Sequence, residues 1–279
     1  MEKALSCLYL NDNLPASYLQ TNNLNFGELY KNPETLAEHT LKMYPKDKVI
    51  INLPQDSYLE AEMFGIKLTG YNQNSALIPI PVPYDQAMPK FNIQHQRLNT
   101  ILDSLEIIQL KGKTPCLNLS GFASVFDAMY GSTLFYTEWF NSNCYIKEIF
   151  AYMADCYLQI IRKAAAKGIK IFSFAEPTIM LHLVGEHFAA EYSTQILLPF
   201  FNKITDCKIP LIFHICALTT SVLLQSEHFS VNQHPLTEAK NTDNLLTKLS
   251  SIAKKPIFIG NNCINSRKIA KNWEEISFF

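Results

Sequence analysis

Short apolar or β-branched runs alternate along this chain with longer segments of helical period, and that alternation points to repeated βα units around a parallel sheet. Runs at residues 5–10, 49–53, 76–80, 116–119, 169–174, 211–215, 229–231 and 257–260 make eight candidate strands. Eight suits a closed (β/α)8 TIM barrel, and 279 residues exceed the roughly 250 such a barrel needs. The intervening helices read more clearly. Asn32 is a candidate N-cap followed by Pro33 at the first helical position, opening a helix to about Met43. Between Tyr145 and Lys167, apolar Ile146, Ile149, Phe150, Met153, Tyr157, Ile160, Ile161 and Ala164 recur at three- and four-residue steps, and Gly168 is the expected stop. The proline-rich stretch in the 70s and 80s reads as an excursion. With no Gly/Ser-rich linker and no repeat at a solenoid period, residues 1–279 are expected to form a single domain.

Charge excludes whole classes of partner. Lys and Arg total 24 against 25 Asp and Glu, a net charge of −1, which leaves no electrostatic footprint for nucleic acid or an acidic membrane surface. Only three residues, Arg97, Arg162 and Arg267, are arginines, so few planar forks exist for gripping a substrate rich in carboxylates or phosphates. No run reaches the ~18 apolar residues of a membrane span, since the richest, residues 210–224, is interrupted by His214, Thr219, Thr220 and Ser221. The early apolar run at residues 4–10 ends in Asn11-Asp12-Asn13 without a small-residue cleavage site, so a cytoplasmic location is expected. Seven scattered cysteines in a chain of this size do not suggest a disulfide framework, and metal or catalytic use of a subset becomes the question.

Polar residues with chemistry gather at or just past the carboxyl ends of the candidate strands: Asp56, Ser120-Gly121, Glu176, His214 with Cys216, and Cys263. In an α/β barrel those ends form one mouth. His214 and Cys216 are two apart on a strand, so their side chains share a face. A second thiolate from Cys263 would complete an N/S/S set, the soft donor combination that selects zinc and leaves a fourth position open. Taken alone, the same residues read equally well as a satisfied core histidine and two small buried cysteines. Glu176 is the one carboxylate in an apolar strand ending; it suits a fourth ligand, a general acid, a substrate anchor, or a cap for the following helix. Asp56 reads fully as an N-cap. Cys7, Cys116, Cys144, Cys156 and Cys207 have no partner pattern. No Gly-x-Gly-x-x-Gly follows a strand, no P-loop occurs, and no Asp-x-His-x-x-Gly run marks a resident corrinoid.

Four stretches carry a family resemblance in order: Glu34-Thr-Leu-Ala-Glu with Asp56, Glu60-Ala61-Glu62 and Gly65; Leu119-Ser-Gly-Phe-Ala; Phe174-Ala-Glu-Pro-Thr; and His214-Ile-Cys216 with Gly260-Asn-Asn-Cys263. The chain resembles the uroporphyrinogen decarboxylase superfamily of barrels, and within it corrinoid-dependent methyltransferases of the methylcobamide:coenzyme M type. The resemblance implies that His214, Cys216 and Cys263 hold Zn²⁺, and that the zinc lowers the pKa of an acceptor thiol. The thiolate would then take a methyl group from a methylated corrinoid borne by a separate corrinoid-binding protein. It also implies a substrate contact at Asp56.

Compared with the family, the N-terminal arm is abbreviated, the Arg-x-x-Gly-Arg type of segment of true decarboxylases is missing, and Ala217-Leu218-Thr219 stands where a glycine is expected. Two other readings stay open: a metal-free, decarboxylase-like lyase using Asp56, and a non-catalytic descendant that binds a corrinoid protein or small ligand. The choice among coenzyme M, homocysteine, another thiol or a pterin, and the oligomeric state, are not encoded in these motifs.

Overall fold

A computed structural model describes residues 16–54, 56–70, 77–85, 87–141, 144–235, 242–260, 264 and 272–279. The strands are β1 (Ile50–Leu53), β2 (Lys67–Thr69), β3 (Ile78–Ile80), β4 (Thr114–Ser120), β5 (Ile171–Ala175), β6 (Ile212–Ile215), β7 (Phe229–Pro235), β8 (Ile257–Gly260) and β9 (Asn272–Phe278). A mostly parallel sheet runs β1-β4-β5-β6-β8-β9-β7, with β9 antiparallel to both of its neighbours. Helices connect the parallel strands, as the alternation predicts. Asn32 caps the helix Pro33–Met43, its side chain accepting the Thr35 N–H at 2.7 Å. The long helix Cys144–Ala166 ends before Gly168, whose φ of 82° suits the left-handed stop that a side chain resists.

Period-two alternation divides the sheet into two unlike faces. One carries Leu117, Leu119, Phe172, Phe174, Phe213, Ile215 and Phe258 into a core shared with the surrounding helices. Phe122, Phe174, Phe200 and Phe213 form its aromatic centre, the Phe122 and Phe200 rings 4.9 Å apart and edge to face. The other face carries Ile50, Cys116, Ile171, Ile212 and Ile259, covered by Leu246 of the helix Thr242–Ile252. That face also carries every polar strand residue considered below.

Three expected strands differ from expectation or fall outside view. Residues 5–10 lie outside the described residues. The 76–80 run contributes only β3, half of a separate hairpin with β2, because Pro79, Pro81 and Pro83 lack the N–H donors a central strand must supply. The 229–231 run is the start of a longer strand at the sheet edge, paired with β9 instead of standing between β6 and β8, which bond each other directly. Among the described residues no pairing joins β1 to β7, so the sheet they form is open. No helix among them is long and apolar enough to cross a membrane.

Candidate functional site

The parallel register lines up a polar row across the face that carries Cys116, Ile171 and Ile212. Asn118 on β4 stands opposite Ser173 on β5, and Ser173 opposite His214 on β6. One step toward the amino ends, Cys116, Ile171 and Ile212 form an apolar row in the same register. Asn118, Ser173 and His214 are all buried, so their polar atoms must find partners inside the protein. Ser173 Oγ and His214 Nδ1 are 2.9 Å apart. Asn118 Nδ2 donates to the Pro54 carbonyl at 2.8 Å.

Cys216 follows β6 on the face of His214. It is buried beside Ala175 and Leu218, and its N–H donates to the Phe174 carbonyl at 2.9 Å. It also stands at the N-cap of the helix Ala217–Leu223. The next strand, β8, ends at Gly260 against this same helix: a Cβ at Gly260 would lie 2.7 Å from Thr220 Oγ1 and 2.7 Å from Ile276 Cδ1. Only glycine permits that approach. Cys263 is three residues further on and lies outside the described residues.

Glu176 goes to another task than the following helix. That helix, Leu181–Tyr192, begins at Met180. The Glu176 carboxylate instead turns to the start of Phe122–Tyr130, accepting the Ala123 N–H at 3.0 Å and the Ser124 N–H at 2.9 Å. Hydroxyls of Ser124 and Tyr192 complete its shell. The carboxylate presses on Gly121, where a Cβ would sit 2.1 Å from Oε2. Its backbone N–H donates to Thr219 Oγ1 at 2.9 Å, tying the end of β5 to the helix that Cys216 opens. Burial pushes the Glu176 carboxyl up to about 7, against the pull of Ser124, Tyr192 and the backbone donors.

A second buried carboxylate flanks the same strand end. Glu60 accepts the Ser120 N–H at 3.0 Å, and burial raises its carboxyl to about 7 as well. Both groups hold protons more tightly in the folded chain than in the unfolded one. Their contribution to stability is therefore complete below about pH 4.5 and is lost as pH rises through about 7. Each is worth on the order of 3 kcal/mol. Urea midpoints are expected to fall between pH 5 and pH 8, with Glu176→Gln flattening the slope; a midpoint that rises over that interval contradicts the assignment.

Asp56 is enclosed in a buried ion network. Its Oδ2 takes the Tyr30 hydroxyl at 2.7 Å and an Arg97 Nη2 contact, while Oδ1 takes the Tyr58 N–H at 3.0 Å. Arg97 Nη1 reaches Glu62 at 3.0 Å, and the guanidinium lies 4.1 Å from the centre of the Tyr30 ring. The helix Leu59–Met63 has Tyr58 at its N-cap, so Asp56 holds the turn before that helix.

The structure thus brings His214 and Cys216 together and sends Asp56 and Glu176 into separate hydrogen-bond shells. Sequence reasoning passed over Asn118 and Ser173, and named Glu60 and Arg97 without giving either a buried partner. For the first two a signal exists: each is a lone polar residue inside an apolar strand, in phase with Cys116, Ile171 and Ile212.

Comparison with known proteins agrees with this architecture. A solved methyltransferase from Methanosarcina mazei is similar in fold, with a TM-score of 0.53 and 14% identity over 75% of this chain and 64% of that one. This chain therefore spans less than two thirds of that protein. No curated protein matches the sequence. The family described as Uroporphyrinogen decarboxylase (URO-D) matches residues 11–253, and with most of its length so matched, the chain belongs to the uroporphyrinogen decarboxylase family.

Proposed function

We propose that this chain is a zinc-dependent methyltransferase, built on the family's (β/α)8 barrel, that moves a methyl group from a methylated corrinoid on a partner protein to a small thiol. The observation that carries the reading is the placement of His214 and Cys216 on one buried face at the end of β6, beside β8, whose last residue precedes Cys263 by three positions in the sequence. An imidazole and two thiols fit zinc and leave a position for a substrate sulfur. Among the described residues no group of three such ligands forms, so the site depends on Cys263. When bound, zinc would supply a lowered pKa for the acceptor thiol, making thiolate available at neutral pH.

The chain's own residues then have modest duties. His214 and Cys216 fix where the sulfur sits, and the apolar neighbours Ala175 and Leu218 exclude water. No strong general base is needed, which suits a site whose nearby carboxylate, Glu176, spends both oxygens on helix capping. The lyase reading asks Asp56 to receive substrate, yet both of its oxygens are engaged and its side chain is fully buried. The functional test incubates the zinc-loaded chain with methylcobalamin and a panel of short thiols, following loss of the methylcorrinoid spectrum and appearance of methyl thioether. Transfer that stops on chelation supports the reading. Metal-independent release of carbon dioxide from a porphyrinogen, without methyl transfer, overturns it.

A further inference from the structure

Two cavities share Glu62 and His95 as a common wall. One, of about 330 Å³, is lined by Tyr30, the buried Arg97 and Lys31. The other, of about 490 Å³, lies against Met63, Ile66 and Leu68 and is edged by Lys67 and Lys90. Small-molecule sites span roughly 300–1,000 Å³ and set a few polar groups against an apolar wall. Together the two lobes have that size and that lining. Their charge is one-sided. Arg97 takes up Glu62 and Asp56, while Lys31, Lys67 and Lys90 enter no ion pair among the described residues. Three cations are thus left over in a chain whose net charge is −1, and such an excess concentrates anions. The shared wall also holds an unmet polar atom. His95 Nδ1 is buried without a hydrogen-bond partner among the described residues, and the ring makes no cap bond to the helix Gln96–Leu110 that follows it. As neutral Nδ1–H or as imidazolium, that nitrogen donates to an anion.

We propose that the two lobes form one binding site for a small, elongated dianion, one anionic group lying at Lys31 and the other at Lys67 and Lys90, with the span between them passing His95. The walls are fixed in advance, which spares the ordering cost of binding. The Asn92 N–H donates to the Met63 carbonyl at 2.8 Å, the His95 N–H donates to the Asn92 carbonyl at 3.1 Å, and Lys163 Nζ donates to the Ile93 carbonyl at 2.9 Å. Arg97 is held between Asp56 and Glu62 over the Tyr30 ring. Lysines grip as point charges and need no planar fork, so a chain with three arginines loses nothing here. The site is independent of the zinc reading, since none of its residues is a proposed ligand. Carboxylate and phosphate ends share this chemistry, and the choice of probes separates them.

The test titrates the full chain calorimetrically, at constant ionic strength, with α,ω-dicarboxylates from malonate to suberate and with the matching bisphosphonates. Acetate and inorganic phosphate serve as single-anion probes. One chain length is expected to bind once per chain and roughly tenfold or more tighter than either single anion, because its second end binds at a raised effective concentration. The tighter of the two series identifies the end group. Lys31→Gln and Lys90→Gln, both changes at exposed side chains, should each weaken that probe roughly 3- to 10-fold. Lys111→Gln, which lines neither lobe, should leave it unchanged. In ¹⁵N-histidine spectra, the His95 ring, assigned by its loss in His95→Gln, should shift on saturation. Dianions that bind no tighter than acetate and phosphate, an unmoved His95 ring, or binding that ignores either lysine variant overturns the proposal.

Discussion

Replacing Arg97 with leucine is expected to destabilise the fold by about 3–5 kcal/mol, the cost of leaving a buried charge without its partner. Arg97 is 3% exposed and the Asp56 side chain is fully buried, so water cannot take over the lost contact. Glu62, 12% exposed in its side chain, loses its partner too, and the Tyr30 ring loses the guanidinium stacked on it. Asp56 keeps only the Tyr30 hydroxyl and the Tyr58 N–H. Lysine at this position keeps the charge but cannot fork to two carboxylates, so Arg97→Lys should lie between wild type and Arg97→Leu. The double variant Arg97→Leu/Asp56→Asn should recover part of the loss, because the fully buried Asp56 charge has gone while the Glu62 charge remains. Urea unfolding measures all three, and a loss below about 1 kcal/mol for Arg97→Leu would show the network to be dispensable.

Cys216→Ala should abolish metal binding while barely disturbing the fold. The thiol is a small apolar group against Ala175 and Leu218, so its removal costs on the order of 1 kcal/mol in the metal-free chain. As a zinc ligand, by contrast, its loss should exceed the 10- to 100-fold typical of residues that only orient ligands. The contrast between a small stability change and a large loss of affinity is what distinguishes a ligand from a core cysteine. Cys116 provides the control: it lies on the same sheet face within the Ile50, Ile171 and Ile212 cluster, and Cys116→Ala is expected to cost stability with zinc affinity intact. If Cys216→Ala and wild type bind zinc equally, the site lies elsewhere.

Much of this arrangement was legible along the chain, for local reasons. Strand candidates at 49–53, 116–119, 169–174, 211–215 and 257–260 all belong to the parallel part of the sheet, because a strand buried on both faces is a short apolar run. His214 and Cys216 share a face because alternation is a property of the backbone. What stayed hidden was long-range. The acidic pair in Trp273-Glu274-Glu275-Ile276 breaks the period that would have marked β9, and without β9 the edge position of β7 has no explanation. The helix Thr242–Ile252 lies over the face of Cys116, Ile171 and Ile212, a matter of where a helix docks and not of whether it forms. Glu176 reads as a carboxylate before a helix, yet the helix it caps starts 54 residues earlier, at Phe122. Arg97 and Asp56 are 41 residues apart, and no periodicity announces an ion pair.

X-ray absorption at the zinc edge, on the full chain purified without chelator, tests the central claim most directly. The account predicts about one zinc per chain with one nitrogen near 2.0–2.1 Å and two sulfurs near 2.3 Å, plus a third sulfur when a thiol is added. Absence of zinc, or a shell of oxygen and nitrogen without sulfur, would contradict it.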